Sequence, residues 1–272
     1  MGDAEIDMPD EDVKAELTPG YIPILEEAEV GQILSEMVVR FRGLNALISV
    51  LKKLDEAGAK LLSGFLKKLR DFTVLTSFVD VSDLNVNLDG LKSELMSCAG
   101  VERVEFTPPS RVAAESLHFP KYVQHGVRVI VVRIKDIESA WKFLPVGAAA
   151  RLYQQGVECG KESYRVLSRV GLGVNEMLKF REQVYRAAGW ALVKFVDVDP
   201  EKGVGTIIVK KSFEVDALKD RFPGRKLCNF IRGHMAGFLS CLFGRDVVVE
   251  EVQCEGEGAG YCRFIIKPKE KP

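Results

Sequence analysis

Cys228, Glu251, Cys254 and Cys262 follow the pattern Cys-x22-Glu-x2-Cys-x7-Cys. Three soft sulfurs and one carboxylate are the donor types that zinc takes in closed four-coordinate sites. Between the last two cysteines the segment EGEGAGY supplies three glycines where the chain must reverse tightly. Cys228 precedes an apolar, glycine-interrupted stretch, NFIRGHMAGFLSCLFG, that reads as a helix, and the positive end of a helix dipole favours a thiolate. A second reading of the same residues stays open at this point, because a buried cysteine commonly serves as a small hydrophobe. Glu251 and Cys254 are also an odd number of positions apart, so on a strand they share a face only if the chain bulges or turns between them.

The bulk properties constrain what such a site serves. The chain has 272 residues, 47% hydrophobic and 28% charged, with 38 basic against 39 acidic residues. That balance, with no local basic patch, argues against a nucleic-acid partner. The longest apolar runs, such as GVRVIVVRI from Gly126, are broken by arginine well short of the ~20 residues of a membrane span. The acidic N-terminus lacks the basic-then-apolar pattern of a secretion signal. A cytoplasmic protein without a membrane association is expected, with its six cysteines (98, 159, 228, 241, 254 and 262) reduced.

Three regions must position the four ligand candidates. Residues 1–35 read as an acidic tail with one short docked segment. Residues 36–110 show the order β-α-β-β-α-β: strands at MVVRFRG, LLSGFLKKL, DFTVLTSFVDVS and VERVEFTPP, and helices at LNALISVLKKLDEAG and after Asn87. LLSGFLKKL also suits a helix, and the need of the next strand for a partner favours a strand. Residues 111–272 form an α+β domain. It is expected to contain a strand at VRVIVVRI, a helix whose Leu152, Gly156, Cys159 and Ser163 face inward, a helix capped by Asn175, a hairpin around PEKG, the glycine-interrupted helix and two last strands.

The first unit resembles the ACT domain, a ferredoxin-like regulatory module that commonly dimerises; the resemblance implies a homodimer, and an amino-acid site at the RGLNAL turn, Arg42 to Leu47. The run CNFIRGHMAGFLSCLFGRDVVVEEVQCEGEGAGYCRFIIKP resembles the 4-vinyl reductase (4VR) domain and the related aromatic-sensing domains of some bacterial activators. The matching positions are Cys228, Gly233, Gly237, Gly244, Arg245, Glu251, Cys254, Cys262 and Arg263, with SFE at Ser212 to Glu214 upstream. The resemblance implies a structural zinc (Zn2+) on Cys228, Glu251, Cys254 and Cys262, and beside it a pocket for a small hydrophobic molecule. Tyr153, Phe180, Tyr185, Trp190, Val209 and Phe230 are the expected lining, although large apolar residues at helical spacing also suit a plain core. Val209 stands where the sensing relatives carry a tryptophan, which argues against phenol itself.

No catalytic residues are expected. The three histidines, at 118, 125 and 234, lack a triad pattern, and His234, beside Gly233 on the expected helix, reads as structural. GLGVNE at 171–176 lacks a nucleotide-binding setting, and four protein ligands would close a zinc to substrate water. The expectation is a zinc-stabilised ligand-binding protein with a sensory or regulatory role. The alternatives are an enzyme or accessory factor of tetrapyrrole vinyl-group reduction, and a structural adaptor.

Overall fold

The structure, a computed structural model, describes residues 25–114, 117, 122–124, 127–141 and 147–270. The acidic residues 1–24, and His118 and His125, lie outside the described residues. The chain divides into two compact units, with the boundary between Lys121 and Tyr122.

In the first unit the elements are β1 (Leu25–Glu27), β2 (Leu34–Phe41), α1 (Leu44–Glu56), β3 (Lys60–Lys68), β4 (Thr73–Asp80), α2 (Leu88–Met96), β5 (Val101–Phe106) and β6 (Val112–Ala114). Four of the strands form an antiparallel sheet in the order β3-β4-β2-β5, and β1 pairs with β6, which is the short docked segment expected ahead of the first long strand. Apolar residues at helical spacing, Ala46, Val50 and Leu54 on α1 and Leu91 and Leu95 on α2, bury against Met37, Val39, Leu75, Val79 and Val104 of the sheet. The ambiguous LLSGFLKKL is a strand, since it pairs along β4 and its Gly64 lies where a Cβ would be 2.4 Å from the Thr76 carbonyl oxygen. Asn87 caps α2 by accepting from the Gly90 amide at 2.7 Å.

The second unit contains β7 (Tyr122–Gln124), β8 (Val127–Val129), α3 (Ile134–Trp141), α4 (Ala148–Leu167), α5 (Val174–Ala187), β9 (Leu192–Asp199), β10 (Val204–Lys210), α6 (Phe213–Leu218), α7 (Asn229–Phe243), β11 (Val247–Gln253) and β12 (Cys262–Pro268). Its four-stranded sheet, β11-β12-β10-β9, is antiparallel throughout. Together the units make the mixed α+β class expected from the element order.

Helices α4 and α7 pack backbone to backbone. A Cβ on Gly156 would sit 2.2 Å from the Phe230 carbonyl oxygen, one on Gly160 2.1 Å from that of His234, and ones on Gly233 and Gly237 2.1 and 2.0 Å from those of Tyr153 and Val157. Two glycines four apart on each helix thus remove the side chains that would hold the axes apart.

Three expectations for this unit are corrected. The apolar VRVIVVRI is a strand only over Val127–Val129, because its partner β7 is three residues long and a two-stranded ribbon sustains little pairing. Ile130, Val131 and Val132 are exposed, and the Arg133–Asp136 pair starts α3 immediately after them. On α4 the inward positions are Leu152, Gly156 and Gly160, while Cys159 is exposed, since the glycine contact sets the rotation of the helix. α5 is capped at Gly173 rather than Asn175, with the Glu176 carboxylate reaching back to the Gly173 amide at 2.8 Å.

Candidate metal centre and aromatic cluster

Cys228 is the N-cap residue of α7, Glu251 lies on β11, Cys254 follows that strand, and Cys262 begins β12. The parity problem between Glu251 and Cys254 is solved by a bulge. Glu251 pairs with Phe264 but Gln253 with Arg263, so Val252 is the extra residue and the two ligand candidates turn to one face. All four side chains are buried, and their ligand atoms lie within 4.8 Å of one another.

The Sγ atoms of Cys228 and Cys262 are 3.7 Å apart, and those of Cys262 and Cys254 3.8 Å. A tetrahedron with metal–sulfur bonds of ~2.3 Å has sulfur–sulfur edges of ~3.8 Å. Backbone amides converge on the sulfurs: Glu255 N–H donates to Cys262 at 3.3 Å and Gly256 N–H to Cys254 at 3.4 Å. Gly256 is obligatory, since a Cβ there would meet the Arg225 carbonyl oxygen at 2.5 Å.

Protons alone satisfy this cluster poorly. The Cys254 thiol is held far below its ordinary value by hydrogen bonds from Cys228 and Cys262, and Cys228 is pushed up by its bonds to the other two sulfurs and by burial. Burial and the nearby Cys254 push Glu251 up to about 8, and its Oε1 has no partner among the described residues. A divalent cation would reverse these shifts and give the orphaned oxygen a bond, so the donor set fits a soft-to-borderline metal such as zinc.

The SFE segment braces the cluster. Lys211 takes a left-handed backbone (φ 57°) and turns the chain from β10 into α6, placing Ser212 Oγ 3.4 Å from Cys228 Sγ. Glu214, fully buried, accepts from the Phe230 and Ile231 amides at 2.8 Å each and so caps the first turn of α7. Burial lifts this carboxyl to about 7, against the opposing pull of the same amides.

The expected lining residues separate in the structure. Trp190 lies at the centre of a ring cluster, 6.0 Å from Tyr185, 5.5 Å from Phe230, 5.9 Å from Phe213 and 5.3 Å from His234, centroid to centroid. Tyr153 is half-buried instead under the Arg232 guanidinium, where its backbone meets Gly233 in the α4–α7 contact. Val209 is fully buried in the sheet, between Val193 and Cys262. Phe180 is 42% exposed and does not join them: α5 buries Met177, Leu178, Arg181 and Tyr185 instead.

That face of α5 carries a group that sequence reasoning missed. His234 Nδ1 is 2.8 Å from the Tyr185 hydroxyl, and its Nε2 is 2.9 Å from Arg181 Nη2 and 3.0 Å from Ser163 Oγ. Burial and the neighbouring guanidinium hold His234 well below the ordinary imidazole range, so the ring is neutral. A guanidinium offers only N–H groups, hence Nε2 accepts and Nδ1–H donates to Tyr185. The three partners of His234 come from α4 and α5, 49 to 71 residues away in sequence, with no local pattern to reveal them.

The fold and this four-ligand cluster define an α+β domain built around a closed, cysteine-rich metal-binding arrangement. Residues 206–268 match the vinyl-4-reductase (4VR) domain family, and the carboxy-terminal unit therefore carries a 4VR domain. No curated protein matches the chain. Among solved structures it is similar to the phenol-responsive sensory domain of the transcription activator PoxR with phenol, at 22% identity and a TM-score of 0.46 over 53% of this chain and 78% of that one. It is also similar to a vinyl-4-reductase family protein from Methanocaldococcus jannaschii, at 19% identity and a TM-score of 0.34 over 49% and 75%. A third similarity is to the ACT domain of the GTP pyrophosphokinase of Chlorobium tepidum, at 11% identity and a TM-score of 0.24 over 28% and 99%.

Proposed function

We propose that the second unit is a sensory domain for a small hydrophobic molecule, held in shape by a zinc ion on Cys228, Glu251, Cys254 and Cys262. The observation that carries the reading is the placement of both features on one helix. The cluster lies at the start of α7, and the rings of Phe230 and His234, which meet Trp190, follow within its first two turns. An ion there would join α7 to the β11–β12 hairpin, so that its binding energy is folding energy for the surface on which the rings are presented. With four protein ligands the ion keeps no position for a substrate water, and its role is structural.

The protein is read as a cytoplasmic regulator that pairs through the first unit and passes its signal to a partner. No helix among the described residues is long and apolar enough to cross a membrane. Ligand binding would act by favouring one packing of the ring cluster over another, with an effect no larger than the ligand's difference in affinity between them. Native mass spectrometry of the purified protein tests the reading together with elemental analysis: one zinc per chain and a retained small molecule are expected. A protein free of zinc, empty of ligand and unshifted in melting temperature by any of a panel of hydrophobic compounds would overturn it.

A further inference from the structure

Arg181 has more than nine-tenths of its surface buried, yet no carboxylate lies within ion-pair distance of it among the described residues. Buried guanidinium groups are normally paired, because an uncompensated charge in an apolar interior is costly. The acidic side chains close by in the chain or fold are committed elsewhere. Glu182 accepts from the Phe195 amide at 2.7 Å and pairs with Lys194, and Glu214 caps α7.

The contacts that Arg181 does make are neutral. One Nη2 proton goes to His234 Nε2, and the plane of the group stacks on Tyr185 at 4.4 Å and lies 5.6 Å from Phe238. Its Nε–H is buried and has no acceptor among the described residues. The surrounding groups add donors rather than acceptors, since the Ser163 hydroxyl converges on the same Nε2 lone pair that Arg181 already uses. A cluster with more N–H and O–H groups than lone pairs, and a net positive charge, is complementary to an anion. Trp190 and Phe230, both half-buried, place apolar rings beside its His234.

We infer that the ligand of the second unit is an apolar carboxylic acid, bound as its carboxylate, and that Arg181 is the group that selects the charge. The inference rests on the reading of this unit as a small-molecule sensor and adds to it the chemical class. A carboxylate can accept two parallel N–H bonds from one guanidinium, which neither a phenol nor a hydrocarbon can do. The Ser163 hydroxyl would add a donor, and the rings would hold the apolar body.

Tryptophan fluorescence and calorimetry on the full-length, metal-loaded protein decide the matter, with 4-tert-butylbenzoate and its neutral isostere 4-tert-butylbenzamide as probes. The wild type is expected to bind the acid at least about tenfold more tightly than the amide. In Arg181→Met the preference for the acid is expected to vanish while the affinity for the amide stays unchanged, and Arg181→Lys is expected to restore part of it. Equal binding of acid and amide by the wild type, or a preference that survives in Arg181→Met, overturns the carboxylate anchor and leaves the sensor reading in place. Binding of neither probe overturns the inference, and the sensor reading then falls only if native mass spectrometry also finds the protein empty. Metal content and circular dichroism establish that the variant is folded; should Arg181→Met not fold, the wild-type comparison and Arg181→Lys still decide.

Discussion

The two ends of the first turns of α7 present opposite electrostatic problems. Around Cys228 three thiols and a carboxylate crowd within 4.8 Å, more negative charge than burial allows them to express. About nine ångströms further along the helix, six residues at a rise of ~1.5 Å each, His234 faces a buried guanidinium that has donors and no anion among the described residues. A core built only for stability would pair or omit such groups. Each cluster is complementary to something the chain itself does not provide, a cation at one and an anion at the other. The first unit offers the contrast: its core is an uninterrupted apolar set between two helices and a sheet.

The comparison breaks most visibly at the sulfurs. Cys254→Ser or Cys262→Ser is expected to abolish metal content and to destabilise the second unit by several kcal/mol, a fraction of the ~10–16 kcal/mol with which structural zinc is held in small domains. Cys98→Ser and Cys241→Ser should leave both properties unchanged, as neither sulfur belongs to the cluster. Elemental analysis and thermal denaturation check all four.

Next in size is the helix contact on which both clusters depend. Gly160→Ala would force a methyl against the His234 carbonyl oxygen and is expected to cost about 3 kcal/mol, as overpacking does. Equilibrium denaturation measures it; a change below about 0.5 kcal/mol, the range of an indifferent surface substitution, would refute the close approach.

A pH series sharpens the contrast further. Without metal, Glu251 at about 8 and Glu214 at about 7 both lie above the ordinary 4.5, so the folded protein keeps protons that the unfolded chain has released. The stabilisation from these groups is complete below pH 4.5 and is lost as pH rises towards 8. With metal bound the ligands must be deprotonated, and stability rises over the same interval. The gap in melting temperature between metal-loaded and chelator-treated protein is therefore expected to widen from about pH 5 to pH 8.

Arg181→Met is expected to have the smallest effect on stability, within about 1 kcal/mol, because an apolar side chain replaces a charge without a counterion and Ser163 remains to donate to His234. Equilibrium denaturation of the variant checks it, and a large loss of stability there would show that the guanidinium is structural.

Much of the metal cluster was legible in the chain, because its ligands fall in a short C-terminal stretch with a glycine turn and a parity that demanded a bulge. The first unit was legible for a similar reason: alternation, helical spacing and the Asn87 cap are local signals. The aromatic and polar group was not. The apolar reading of α5 chose Phe180, one residue from Arg181, since hydropathy favours phenylalanine on the inner face; the packed helix turns that face outward and buries the arginine.

What the sequence determined by itself was the order of elements, the α+β class and the identity of four residues whose donor atoms match one ion, all of which depend on neighbours close in the chain. Only the tertiary structure decided how α4, α5 and α7 are rotated against one another. The glycine contacts between α4 and α7 set one rotation and the burial of Tyr185 another, and it is those long-range choices that bring Ser163, Arg181 and His234 to a common point.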